Sequence, residues 1–130
     1  MKPRVEIDDA RRRITVTADI NVMSRDMTGT LIALVREEPR RADHDFIIDV
    51  RESYGDGSHD DVVLLAEAFR AAGAGRQASH TCFITPDPGF VHWVRTMDFC
   101  FDNRTHLVFD SPEAADAFLD QKLKREPAAA

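Results

Sequence analysis

Residues 46–69, FIIDVRESYGDGSHDDVVLLAEAF, constrain the fold more than any other stretch of this chain. A short apolar run, Phe46-Ile47-Ile48, reaches Asp49, and a loop of Gly, Asp and Ser follows. The run is apolar at every position, as in a strand buried on both faces, so it is expected at the centre of a sheet. A helix then starts at Ser58-His59-Asp60-Asp61, with acidic residues in its first turn and Val62, Leu65, Ala66 and Phe69 as its buried stripe. Gly73 and Gly75 end it. A strand feeding a helix through a loop at its carboxyl end is the repeating unit of α/β proteins, which hold ligands at that edge.

The flanking sequence extends the pattern. Val5 and Ile7 alternate with charges, Asp8 to Arg13 supply a polar turn, and Ile14, Val16, Ala18 and Ile20 alternate strictly. This spacing predicts an antiparallel hairpin. Ser24 is placed to cap a helix carrying Met23, Met27, Leu31, Leu34 and Val35 on one face, with Gly29 in its middle and Pro39 at its stop. Thr81 to Thr85 reads as a fourth strand, and Asp87-Pro88 as N-cap and first residue of a third helix. Leu107 to Phe109 reads as a fifth strand, and Ser111-Pro112 opens a last helix that buries Ala115, Phe118 and Leu119. The order is β-β-α-β-α-β-α-β-α. Helices between strands require crossovers into a parallel sheet. The expectation is one α/β domain over residues 1–123: a mixed, mostly parallel five-stranded sheet with an N-terminal hairpin and four helices. Residues 124–130 read as a disordered tail.

The chain has 130 residues, 43% of them hydrophobic, enough for one core. Its formal net charge of −6 argues against a nucleic-acid or anionic-membrane surface. Arg11, Arg12 and Arg13 follow Asp8 and Asp9 and read as a solvated hairpin turn. The apolar run Val62 to Ala66 is far too short to insert in a membrane. The charged start and the two cysteines, Cys82 and Cys100, point to a cytoplasmic chain with reduced thiols.

The hairpin "VEIDDARRRITVTADI", the strand ending "IIDVR" and the terminal "LVFDSPEAADAFL" together resemble the STAS domain, in its SpoIIAA-like branch, over residues 4–123. The resemblance implies the same fold. It also implies, from the anti-sigma-factor antagonists of that family, a serine phosphorylated at the start of the helix after the third strand. Their Asp-Ser-Ser/Thr-Gly motif is absent from Tyr54-Gly55-Asp56-Gly57-Ser58-His59-Asp60-Asp61, where Ser58 is the nearest match by position. Kinship with Sec14-type lipid-binding domains raises ligand binding as a further implication.

The candidate site residues each carry two readings. Ser58 is a phospho-acceptor at a helix N-terminus or a cap, with Asp61 three residues on. Asp49, Arg51 and Asp56 sit at the carboxyl edge, where they could orient a polar ligand or pair locally. The spacing Asp56-x-Ser58-x-Asp60 resembles a calcium loop, but the sixth position is Asp61 rather than Gly, and no metal is expected. Cys82 in an apolar strand reads as an inert buried thiol, and Asp98 and Asp102 oppose a thiolate at Cys100. In the third helix Val91 and Phe99 fall outside the core stripe of Phe90, Trp93, Val94, Met97 and Phe101. Val91, Trp93 and Phe99 are therefore candidates for an interaction surface.

Two functions remain. One is a non-enzymatic STAS-like regulatory or protein-interaction module, expected as a homodimer without cofactor. The other is a carrier of an apolar small molecule or lipid, with a cavity between sheet and helices lined by Met23, Met27, Met97 and phenylalanines. A hydrolase built on Asp49 with His59 or His80 ranks last, because no nucleophile elbow, phosphate loop or zinc signature is present.

Overall fold

Alternating strands and amphipathic helices assemble here as one sheet with helices on both faces. The computed structural model describes residues 2–53 and 57–125, with side chains described up to Leu123. The elements are β1 (Arg4–Asp8), β2 (Arg13–Thr17), α1 (Ser24–Glu37), a 3-10 turn (Pro39–Asp43), β3 (Asp45–Asp49), α2 (His59–Ala71), β4 (Ser79–Ile84), α3 (Phe90–Cys100), β5 (Arg104–Phe109) and α4 (Pro112–Arg125). Strand order is β1-β2-β3-β4-β5, with β1 antiparallel to β2 and every other pair parallel. This is the expected α/β class, with β3 at the centre.

Each crossover steps one strand in the same direction. Right-handed connections then place α1, α2 and α3 on one face. The register names that face: Ile14, Phe46, Thr81 and His106 form one row across the sheet, and Val16, Ile48, Phe83 and Val108 the next. These rows pack against Met27, Leu31 and Val35 of α1, Val62 and Phe69 of α2, and Val94 and Met97 of α3. The alternate positions face α4, where Ile47, Cys82 and Ile84 bury against Ala115 and Leu119.

Several boundaries differ from expectation. β2 ends at Thr17, and Ile20 is 52% exposed in a turn, because the strand's last ladder partner is Asp49. Ser24 is the first residue of α1, not its cap; Asp26 reaches back to accept from the Met23 N–H at 3.0 Å. Nothing lies within 4 Å of a Cβ built at Gly29, so no close approach explains it. Asp87-Pro88 forms a turn, and α3 starts at Phe90, two residues later than expected; Asp87 Oδ1 accepts from the Gly89 N–H at 2.9 Å. α4 continues to Arg125, past the expected boundary at residue 123, and residues 126–130 of the expected tail lie outside the described residues.

Arg13 is the largest departure. It is only 2% exposed, and its guanidinium reaches Asp116 at 2.8 Å and Asp120 at 2.9 Å on α4. Arg11 and Arg12 lie exposed in the hairpin turn as expected, but Arg13 does not. Arg13 clamps the last helix to the sheet, and Arg11 supports it by bonding both Asp8 and Asp120.

Arg104 plays the corresponding part at the amino ends of the strands on the opposite face. It is 5% exposed, and it donates to the carbonyls of Ala42, His44 and His80 and to Thr81 Oγ1. Its guanidinium also lies 5.3 Å from the Phe46 ring centre and 5.1 Å from that of Phe69. Burial pushes its pKa down to about 10, which leaves it charged at neutral pH. Arg104→Ala strands several buried carbonyls, each worth about 1–3 kcal/mol when unpaired. We expect a loss of roughly 3 kcal/mol or more in urea unfolding, with Arg104→Lys recovering only part because it lacks the planar fork.

Candidate functional site

The three helices on one face do not fill the space above the sheet. A cavity of about 550 Å³ lies between β3, β4 and β5 below and α1, α2 and α3 above. Ile48 and Phe83 form its floor, and Met27, Leu31, Val62, Leu65, Trp93 and Met97 its walls. The inner end is the row Phe46, Thr81 and His106, closed by Phe69 and Phe101. The other end holds Arg51, Ser58, Pro86, Asp87 and Gly89, all exposed, so the mouth lies at the carboxyl edge of the sheet. From Phe46 to Val50 is four strand residues, a depth of roughly 13 Å.

The sequence-derived candidates divide between mouth and wall. Ser58 caps α2, its Oγ accepting from the Asp61 N–H at 3.2 Å. The Asp61 carboxylate does not complete a capping box but accepts from Ser24 Oγ at 3.2 Å, which ties α2 to α1 at the mouth. Asp49 and Arg51 pair with each other through contacts of 2.7 and 3.0 Å, and Asp49 also accepts from the Arg51 N–H. Asp49 is 5% exposed and takes the α4-facing register beside Ile84, so only Arg51 of this pair lines the mouth and the carboxylate is engaged. Asp56 lies outside the described residues.

The aromatic helix splits as well. Trp93 turns to the cavity, close to Gly57 at the mouth, while Val91 (41% exposed) and Phe99 (93% exposed) point to solvent. Phe99 therefore does not join the core. Met27 and Met97 line the cavity as expected, but Met23 does not: it precedes α1 and is 38% exposed.

His80, weighed above only as a hydrolase base, and His106 occupy organised sites. His80 Nδ1 contacts Lys122 Nζ at 2.8 Å, and Lys122 reaches Asp45 at 3.3 Å. Burial alone would raise Asp45, but its bonds to His80 and the Lys122 charge overcome that and hold its carboxyl below the usual range. This cluster sits at the amino edge against Phe118, away from the cavity. His106 is different. It is 4% exposed and lines the cavity, and its Nδ1 lies 2.9 Å from Asp98 Oδ1, which also accepts from the His106 N–H. Burial, helped by the nearby Arg104 charge, outweighs Asp98 and pushes the pKa of His106 down to about 4. Its ring is neutral at physiological pH.

Cys82 is not poised as a nucleophile. Burial pushes the Cys82 thiol up to about 12, and its side chain faces α4. Among the described residues, no three His, Cys, Asp or Glu side chains gather as a metal site, and no helix is long and apolar enough to cross a membrane. No protein-family model and no curated protein matches the chain.

The buried neutral imidazole makes stability pH-dependent. Above pH 6.5 His106 is neutral whether the chain is folded or not, and it contributes nothing. As pH falls towards about 4, the unfolded chain takes up a proton that the folded chain refuses, and stability drops. We expect His106→Gln to lose less stability than the parent over this window, by up to about 3 kcal/mol, in urea titrations at stepped pH.

Proposed function

We propose that this chain is a non-enzymatic STAS-like binding module that carries a small apolar molecule between its sheet and α1, α2 and α3. The cavity carries this reading. Its volume of about 550 Å³ falls within the roughly 300–1,000 Å³ of small-molecule sites. Its walls are apolar, two of them methionines that adapt to varied shapes. It opens at the carboxyl edge of a parallel sheet, where such folds hold ligands. The STAS resemblance is compatible with the sheet order, and the suggested kinship with lipid-binding domains points the same way.

A thermal-shift panel of fatty acids, long-chain alcohols and isoprenoids tests the proposal. A bound ligand at a hundred times its Kd adds about 2.7 kcal/mol to stability, a rise of several degrees. Leu31→Trp, which places an indole in the cavity, should fold and abolish the shift. No response across the panel would sink the carrier reading.

Phe99 supports a second reading, a protein-interaction surface. An aromatic side chain 93% exposed on a helix that also exposes Val91 at 41% is suited to contact with another protein. A homodimer is the simplest form of that contact. Light scattering checks it: Phe99→Asp with Val91→Asp should convert a dimer to monomer and leave cavity binding intact. An unchanged mass would remove this surface from consideration.

A further inference from the structure

The inner end of the cavity holds a polar edge that the protein does not use. His106 and Thr81 are neighbours in the row that closes that end, and Thr81 Oγ1 is already occupied by Arg104 at 2.9 Å. The His106 ring packs against Phe101, with ring centres 4.9 Å apart, and against Phe83 at 6.3 Å. Its Nδ1 is fixed on Asp98. A carboxylate can only accept, so a neutral imidazole facing it carries its proton on Nδ1. The other nitrogen, Nε2, is then a lone-pair acceptor. It makes no hydrogen bond among the described residues.

Nor is Nε2 sealed away. Among the described residues, the fully buried side-chain nitrogens and oxygens that lack a partner are Arg13 Nε, Arg41 Nε and Ser79 Oγ. Nε2 is not one of them, so it keeps some accessible surface. The residue is 4% exposed, and the open space its ring lines is the cavity. A buried acceptor left unpaired costs free energy that a ligand donor recovers.

We propose that His106 Nε2, its tautomer held by Asp98, accepts a hydrogen bond from the hydroxyl group of an uncharged, otherwise apolar ligand inserted with that hydroxyl innermost. The assignment rests on the carrier reading and adds the ligand's chemical class to it. The donor set decides the class. A neutral acceptor among Phe83, Phe101 and Met97 rewards an O–H group. It repels an ionised carboxylate, and the nearest cation, Arg104, already donates to three carbonyls and Thr81.

Trp93 is the chain's one tryptophan and lines the cavity, so its fluorescence reports entry directly. The probes are 1-decanol, its methyl ether, which lacks the donor, and decanoate. In the parent protein 1-decanol should bind about tenfold more tightly than the ether, the value of one hydrogen bond to a buried acceptor. Decanoate should bind more weakly than the alcohol. His106→Phe keeps the ring and leaves Asp98 its bond from the backbone N–H; there the alcohol should fall to the affinity of the ether. Nitrogen-15 NMR of the parent protein should find Nε2 unprotonated, shifting with the alcohol and not with the ether. Equal binding of alcohol and ether, a preference that survives His106→Phe, or a protonated Nε2 would overturn the assignment while leaving the cavity reading intact. No fluorescence response to any probe would overturn both.

Discussion

The handedness of the strand crossovers governs everything else in this structure. Three successive right-handed connections, each moving one strand in the same direction, must put α1, α2 and α3 on a single face. The opposite face is left to α4 alone, which arrives after the last strand and needs its own attachment. Arg13 supplies it by reaching two aspartates one helical turn apart, Asp116 and Asp120. The crowded face has the opposite difficulty. Three helices cover that face without filling it, and the wedge of space they leave above β3, β4 and β5 is the cavity. The site is thus a consequence of topology before it is a matter of particular side chains.

Polar groups in that crowded layer are either fully spent or turned towards the wedge. Arg104 shows the first case. Its guanidinium bonds satisfy carbonyls from the 3-10 turn, from His44 just before β3 and from β4, so these buried acceptors at the amino ends of the strands are paired. His106 shows the second, with one nitrogen committed to Asp98 and the other not. The two residues lie two positions apart on β5 and share a face. One seals the inner end of the cavity and the other gives that end a polar contact.

Much of the fold was legible from period alone. The apolar run at Phe46–Ile48 and the stripe from Val62 to Phe69 located the central strand and its helix, and the hairpin and strand count followed. Register was not legible, and the misreadings trace to it. Three consecutive arginines look like a solvated turn until pairing of Arg13 with Asp45 fixes which way the side chain points. The spacing of Asp116 and Asp120 on one helix face was the available signal. β5 was expected to start at Leu107, so Arg104 and His106 fell outside it; extending the alternation back by three residues puts both on the inner face. Ile20 erred the other way, because alternation continued after the ladder partner ran out. The split of α3 into a cavity wall at Trp93 and a solvent face at Phe99 was half legible. Helical spacing separated Phe99 from the stripe but could not say that the stripe bordered empty space.

The charge arrangement also limits how a ligand can lie. Placing an ion deep in an apolar site is costly unless an opposite charge meets it there. The deep cation, Arg104, is saturated by neutral acceptors, and His106 is held neutral by its burial. At the rim, Arg51 is engaged by Asp49, Ser58 caps α2, and the Asp61 carboxylate accepts from Ser24 of α1. A charged group therefore gains nothing by entering, and it would be left in water beyond the mouth. An apolar body with one uncharged donor meets no such penalty. The burial that keeps His106 neutral is thus also what would set the orientation of the proposed ligand, its hydroxyl end innermost.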